Sequence, residues 1–252
     1  PLSAFAFELD PALPFLVAAG LYVLTVVVLS SIAGEFRPAI SNEPEEPNLR
    51  RRMTRGLAYV WSHPVLRPLA LVVAAFAFVG EAGNAIFVIL ITERIGLSSV
   101  QFGLLLTVDA VAAVAISFFV ARIVARTSHG ASMRISIVLY TASALILGLS
   151  TIVGAVILAM VLGGASHPTW NVVSSTVRQR LVPDAIFGRM MTAYLFIAWG
   201  MQPFGALTGG IIAEAIGPEW VYLMSATVVG SLLVLGRPMF RRVDEALAEQ
   251  PA

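Results

Sequence analysis

The fold of this chain is decided by residues 135–177, which read ISIVLYTASALILGLSTIVGAVILAMVLGGASHPTWNVVSSTV. These 43 residues contain no Asp, Glu, Lys or Arg. A helix crosses a bilayer with about 20 apolar residues, so the stretch is too long for one crossing and suits two. We predict two transmembrane helices, 134–150 and 153–177, joined by a tight turn near Ser150 and Thr151.

Five further apolar segments of similar length surround this pair. They lie at 12–33, 68–92, 99–121, 190–213 and 219–236. The whole chain is 58% hydrophobic with a mean hydropathy of +0.87, and 12% of its residues are charged, against about 25% in soluble domains. This composition excludes a disordered protein, a nucleic-acid binder and an ordinary soluble enzyme. It predicts an all-α polytopic membrane protein with seven transmembrane helices.

Two residue types are absent, and their absence limits the chemistry. The 252 residues contain no cysteine, which excludes disulfides, thiolate catalysis and cysteine-based metal sites. All sixteen basic residues are arginine, which excludes lysine Schiff bases and a Walker A lysine. The three histidines are scattered, so we predict neither a metal site nor a cofactor.

The arginines set the predicted orientation. With the loops alternating across the membrane, fifteen of the sixteen arginines fall on one side, and Arg94 is alone on the other. The positive-inside rule makes the arginine-rich side cytoplasmic and places the C-terminus there. The chain begins at Pro1 and has an odd number of spans, which we interpret as a piece of a longer protein whose upstream helices are missing.

Residues 34–66 form the longest polar stretch. The proline- and glutamate-rich part, 38–47, is typical of a linker. Residues 48–63 predict an amphipathic helix along the membrane surface, with arginines opposite an apolar face. That apolar face is formed by Leu49, Met53, Leu57 and Val60.

Polar side chains at bilayer depth are the best indicators of a functional site. Glu81 and Asn84 lie three residues apart in the second span, on one helix face, and Asp109 lies in the middle of the third. Desolvated carboxylates at this depth are suited to proton exchange, so Glu81 and Asp109 are candidate proton carriers. The alternatives are a hydrogen bond to a neighbouring helix or a wet cavity without titration.

The fifth and sixth spans add further candidates. His167, Trp170 and Asn171 share a stripe on the fifth span, and Trp199 and Gln202 lie on the sixth. We predict that these residues join the same cavity, and that the two indole rings, with Phe76 or Phe78 of the second span, stack on a lipophilic substrate. Structural roles are the alternative, because His167 precedes Pro168 and membrane aromatics mostly pack. The first, fourth and seventh spans carry no carboxylate or histidine in their apolar cores.

The loop after the fifth span carries a resemblance to a known family. It reads RQRLVPD at 178–184 and GRM at 188–190, after WNVV at 170–173 and before QPFGALTGG at 202–210. These stretches resemble the second half of a major facilitator superfamily transporter. The nearest branch is that of the enterobactin-exporter-like and macrolide-efflux-like permeases, also called transmembrane secretion effectors.

The resemblance implies a major facilitator type bundle of twelve helices in two halves. Residues 1–33 would hold the last helix of the first half, 34–66 the central cytoplasmic loop, 67–237 the six-helix second half, and 238–252 a cytoplasmic tail. The three spans without carboxylate or histidine would be the outer scaffold. A cytoplasmic gate would lie in the loop, where simple anchoring of the topology is the alternative; its residues are Arg178, Arg180, Asp184 and Arg189.

The function expected from this resemblance is secondary active transport in a bacterial inner membrane. We expect proton-coupled efflux of a small lipophilic or siderophore-like molecule by alternating access, with protons, the lipid bilayer and the missing N-terminal half as partners. A non-transporting scaffold or accessory subunit is the alternative. An enzyme is not expected, because no metalloprotease or hydrolase motif is present.

Overall fold

The computed structural model describes residue 10, residues 12–31 and residues 49–249, and these residues form helices and no strand. Six of the described helices are long and apolar enough to cross a membrane, and Phe15–Ser31 is a shorter apolar one. This confirms the predicted all-α polytopic class. Every side chain of this first helix whose exposure is described is exposed.

The helices are named in chain order from their observed bounds. The first five are α1 (Leu13–Ser31), α2 (Leu49–Ser62), α3 (Leu66–Ile89), α4 (Ser99–Ser117) and α5 (Val120–Arg126). The next six are α6 (His129–Leu149), α7 (Val153–Leu181), α8 (Asp184–Gly200), α9 (Gln202–Ile216), α10 (Pro218–Leu235) and α11 (Arg237–Ala248). A π-helical turn, Leu90–Arg94, extends α3.

The turn predicted inside the long apolar stretch is confirmed, because α6 ends at Leu149 and α7 begins at Val153. Two predicted spans differ in detail. The third breaks after Ser117, where α4 gives way to α5, and the sixth begins earlier and breaks at Met201. Pro203 explains the second break: proline lacks the N–H that a continuing helix needs, and it is tolerated in the first turn of α9.

Glycines let the helices of the bundle approach closely. The helix α7 packs against α4 and α6, while α9 packs against α3. Gly164 lies directly against the carbonyl oxygen of Asp109, and Gly205 and Gly209 lie against the carbonyl oxygens of Phe78 and Ala82. A β-carbon at any of these three glycines would collide with backbone, so they fix the spacing of the two seams.

Three loops that the arginine distribution places on one side of the membrane meet at one end of the bundle. At one end, Arg94 lies 3.4 Å from the carboxylate of Glu219, and its guanidinium donates to the Gly148 carbonyl oxygen at 3.4 Å. These residues come from three loops predicted to share the arginine-poor side. We call this end the Arg94 end and the opposite one the arginine-rich end.

The helix α11 lies at the arginine-rich end, where the sequence analysis expected only a tail. Its apolar face is buried through Met239, Phe240, Val243 and Leu247. The carboxylate of Asp244 accepts from the Ser128 hydroxyl at 2.9 Å and from the Gly130 N–H at 2.8 Å. Asp244 therefore satisfies a free donor of the first turn of α6 and ties α11 to the bundle.

Asp244→Ala is expected to lower the stability of the bundle by about 1–2 kcal/mol, because it leaves donors of the α6 N-terminus without their acceptor. The neighbouring Glu245→Ala is the control, since its pair with Arg241 is exposed and worth little. Each variant carries a fluorescent fusion partner and is heated before size-exclusion chromatography, which gives the midpoint temperature of its thermal unfolding. Equal midpoints for the two variants would contradict the role given to Asp244.

The helix α2 is present as predicted, but its buried face differs from the predicted one. Gly56 and Val60 are buried against the bundle, whereas Leu57 is 40% exposed. Gly56 packs against the carbonyl oxygen of Arg189 on α8. The side chains of Leu49 and Met53 lie outside the described part. The helix is therefore docked on α8 rather than lying only against the membrane surface.

His63 links α2 to α3 and gives a pH-dependent prediction. Its Nδ1 accepts from the N–H groups of Val65 and Leu66 at 3.2 and 3.3 Å, and burial lowers the pKa of the imidazole. The folded state thus favours neutral His63, and its stabilising effect is lost as the pH falls below about 6.5 towards the lower pKa of the folded state.

We expect His63→Asn, which keeps an acceptor without titrating, to flatten this pH dependence. The measurement is the difference in thermal unfolding midpoint between the variant and the unmodified chain, taken at pH 7.5 and at pH 5.0. A difference that stays constant between the two pH values would contradict the role of His63.

Candidate functional site

A cavity of about 400 Å³ lies among α3, α4, α6, α7, α9 and α10. It brings together five of the eight residues predicted for the substrate and proton site. These are Glu81, Asn84, Asp109, His167 and Gln202.

Asp109 lies where α4, α6 and α7 meet. The Asp109 carbonyl oxygen packs directly against Gly164 of α7. A β-carbon on Gly163 would lie 3.6 Å from Asp109 Oδ1. Ser143 joins α6 to α7 beside Asp109, because its hydroxyl donates to the Ala159 carbonyl oxygen of α7 at 2.7 Å. His167 on α7 interacts electrostatically with the Asp109 carboxylate.

Glu81 and Asn84 lie one turn apart on α3, on the face that borders the cavity. Behind them, the Tyr222 hydroxyl of α10 donates to the Gly83 carbonyl oxygen at 2.9 Å. Gly83 leaves room for that ring, since a β-carbon there would lie 3.2 Å from Tyr222 Cε1. The contact holds the Glu81 face of α3 at a fixed rotation relative to α10.

An aromatic cluster forms the wall between the acidic residues and the arginine-rich end. The ring of Phe76 lies 5.3 Å from that of Tyr140, edge to face, and 5.0 Å from that of Trp170. Tyr140 in turn meets His167 at 6.3 Å. Trp170 is 4% exposed and supports Phe76 from behind. Phe76 and Tyr140 therefore line the cavity on this side, and Trp170 packs behind them.

The structure does not bring Asn171 or Trp199 to this cavity. Each helical residue adds 100°, so Asn171 and Trp170 lie on opposite flanks of His167. The Trp170 flank is buried and the Asn171 flank is exposed. Trp199 is 63% exposed on α8, two residues before the break at Met201.

Several residues that line the cavity were missed by the sequence analysis. Tyr140 and Ser143 come from α6, and Tyr222 comes from α10, although both helices were expected to be outer scaffold. The expectation was wrong because it counted carboxylates and histidines and ignored hydroxyls. The available signal was the hydroxyl residues themselves, which lie within otherwise apolar spans.

The four residues predicted for the gate lie on either side of the connection between α7 and α8. Arg178 is buried on α7, where its guanidinium donates to the Ser174 hydroxyl at 3.2 Å and lies 4.3 Å above the Tyr194 ring. Arg180 and Asp184 are exposed. Within residues 49–249, no ion pair joins Asp184 to Arg178 or Arg180.

Asp184 instead lies in the first turn of α8, where a carboxylate complements the helix dipole. Arg189 sits where α8 meets α2, beside Gly56. The four residues therefore lie at one end of the bundle, and their role as a gate stays a prediction.

Comparison with known proteins agrees with the observed architecture. The model of the transmembrane secretion effector family matches residues 5–250, nearly the whole chain. No curated protein sequence matches the chain significantly. The apolar helices and the family match establish a multi-pass membrane protein of transporter type. The chain belongs to the transmembrane secretion effector family of major facilitator superfamily transporters.

Proposed function

We propose that the chain forms the substrate-binding and proton-binding part of a secondary active transporter that exports a small lipophilic or siderophore-like molecule. The observation that carries the proposal is the placement of two carboxylates in one cavity at the middle of the spans. Glu81 lies near the midpoint of Leu66–Arg94, and Asp109 near that of Ser99–Ser117. Midplane sites of this kind are typical of transporters that work by alternating access.

Proton coupling follows if the substrate and a proton compete for the same carboxylates. A substrate held by Glu81 or Asp109 releases when the carboxylate takes a proton, so movement of one can drive movement of the other. The other titratable side chains that line the cavity are Tyr140, His167 and Tyr222. Of these, His167 is suited to pass a proton to Asp109, its electrostatic neighbour.

The proposed organisation keeps the predicted division of the chain. Residues 1–33 close a first half, 34–66 connect the halves, 67–237 form the second half, and 238–252 include α11. The membrane is a bacterial inner membrane with the arginine-rich end, and so the C-terminus, in the cytoplasm. The arginine distribution supports this orientation, and a further N-terminal half of the same chain would complete the site.

A cell-based efflux assay tests the proposal. The complete protein is expressed in a bacterium that lacks its own efflux pumps, and the retention of lipophilic dyes and of catecholate siderophores is followed by fluorescence and mass spectrometry. We expect lower retention of at least one compound, restored by a protonophore that collapses the proton gradient. Unchanged retention across both compound classes would instead favour a scaffold or accessory subunit.

A further inference from the structure

We propose that the cavity recognises a lipophilic organic cation, such as an amine or phosphonium with aromatic substituents, rather than an anionic siderophore. The inference rests on the proposed function and names the substrate class of the same site. It is drawn from the charges that line the cavity, from the availability of their oxygen atoms and from the chemistry of the walls.

The formal charge of the cavity lining is negative. Glu81 and Asp109 face the space, and none of the arginines described in residues 55–242 lines it. Lysine does not occur anywhere in the chain. His167 is the one basic group in the lining, and it lies beside Asp109. At bilayer depth, this arrangement would repel an anion and attract a cation.

The carboxylate oxygens of Glu81 and Asp109 are available to a ligand. Within residues 49–249, neither carboxylate accepts a hydrogen bond, and neither lies within 4 Å of an arginine guanidinium. By contrast, the carboxylates of Asp244 and Glu219 elsewhere in the bundle are engaged by protein donors. Two carboxylates that neither accept a hydrogen bond nor pair with an arginine can each supply the opposite charge that a desolvated cationic ligand requires.

The walls match the apolar body of such a cation. Phe76 and Tyr140 meet edge to face at one side, and Phe87 lines the other, backed by the Phe102 ring at 5.5 Å. Met160 adds a polarisable thioether. Aromatic faces attract delocalised cations through their quadrupole. The volume of about 400 Å³ falls within the range of about 300–1,000 Å³ that holds drug-sized ligands.

The experiment compares two ions of the same shape and opposite charge. Binding of tetraphenylphosphonium and of tetraphenylborate to the complete purified protein is measured by titration calorimetry at pH 7.5. We expect tetraphenylphosphonium to bind at least about 10-fold more tightly. Glu81→Gln and Asp109→Asn should each weaken it by about 10-fold, the loss expected for one charged contact.

Glu214→Gln is the matched control. Glu214 is an exposed carboxylate on α9 that does not line the cavity, so its removal should leave the affinity for tetraphenylphosphonium unchanged. Chromatographic homogeneity of each variant shows that the bundle is folded, and the comparison of the two ions on the unmodified protein does not depend on any variant.

Three results would overturn the substrate class: tighter or equal binding of tetraphenylborate, no binding of tetraphenylphosphonium, or binding that neither cavity substitution weakens. None of these results bears on transport itself. Export of a catecholate anion in the efflux assay, together with any of them, would leave the proposed function standing and reject the cation. Loss of all efflux would reject the proposed function independently.

Discussion

Gly209→Val is expected to abolish the yield of folded protein, while Gly210→Val should leave it near that of the unmodified chain. A β-carbon at Gly209 would overlap the Ala82 carbonyl oxygen, which belongs to the α3 backbone and has no flexible side chain to move aside. At Gly210 a β-carbon would meet nothing within 4 Å. Overpacking of a close seam costs about 1–3 kcal/mol, and more where backbone must move.

The comparison separates packing from helix propensity, because both substitutions put the same residue into the same helix at adjacent positions. Gly205→Val, which would collide with the Phe78 carbonyl oxygen in the same seam, should behave like Gly209→Val. The measurement is the fraction of monodisperse protein recovered from membranes by fluorescence-detected size-exclusion chromatography. Equal recovery of the Gly209 and Gly210 variants would show that the α3–α9 seam is looser than the structure has it.

The second large effect is expected at the two cavity carboxylates. Glu81→Gln and Asp109→Asn should each abolish proton-coupled efflux while leaving insertion and folding intact. Both side chains line the cavity, and within residues 49–249 neither accepts a hydrogen bond or pairs with an arginine, so neutral amides remove the charge without breaking a hydrogen bond or an ion pair. In proteoliposomes with an imposed pH gradient, uptake of a compound exported by the unmodified protein should fall to the level of empty vesicles.

Glu214→Gln provides the control here too, because it removes a carboxylate from the same bundle without touching the cavity. Exchange of substrate across the membrane without a pH gradient is the second readout. A variant that has lost only coupling should still exchange, whereas a misfolded one should not. Full gradient-driven transport by both cavity variants would show that neither carboxylate carries the proton.

The spans were predictable because hydropathy and length determine them. The turn between α6 and α7 could be placed within a few residues, since 43 uncharged residues cannot form one crossing. The helix α11 was missed although its sequence carries the signal: Met239, Phe240, Val243 and Leu247 repeat at helical spacing. The segment was predicted only as a cytoplasmic tail.

The site was predictable only in its charged part. Glu81 and Asp109 could be found because carboxylates are costly at bilayer depth. Which flank of His167 faces the cavity depends on the rotation of α7, and that rotation is set by the contact of Gly164 with the Asp109 carbonyl oxygen. Such a long-range contact leaves no periodic trace in the sequence, so Asn171 could not be assigned correctly.

The attachment of α11 to α6 offers a way to observe the motion of this half directly. Because Asp244 and the buried Phe240 hold α11 to the bundle, a dye on its exposed side moves with the bundle as a rigid body. The chain has no cysteine, so Glu249→Cys creates a single labelling position at the exposed end of this helix. Single-molecule energy transfer from that position to a label on a substrate or partner then reports opening and closing without any background thiol.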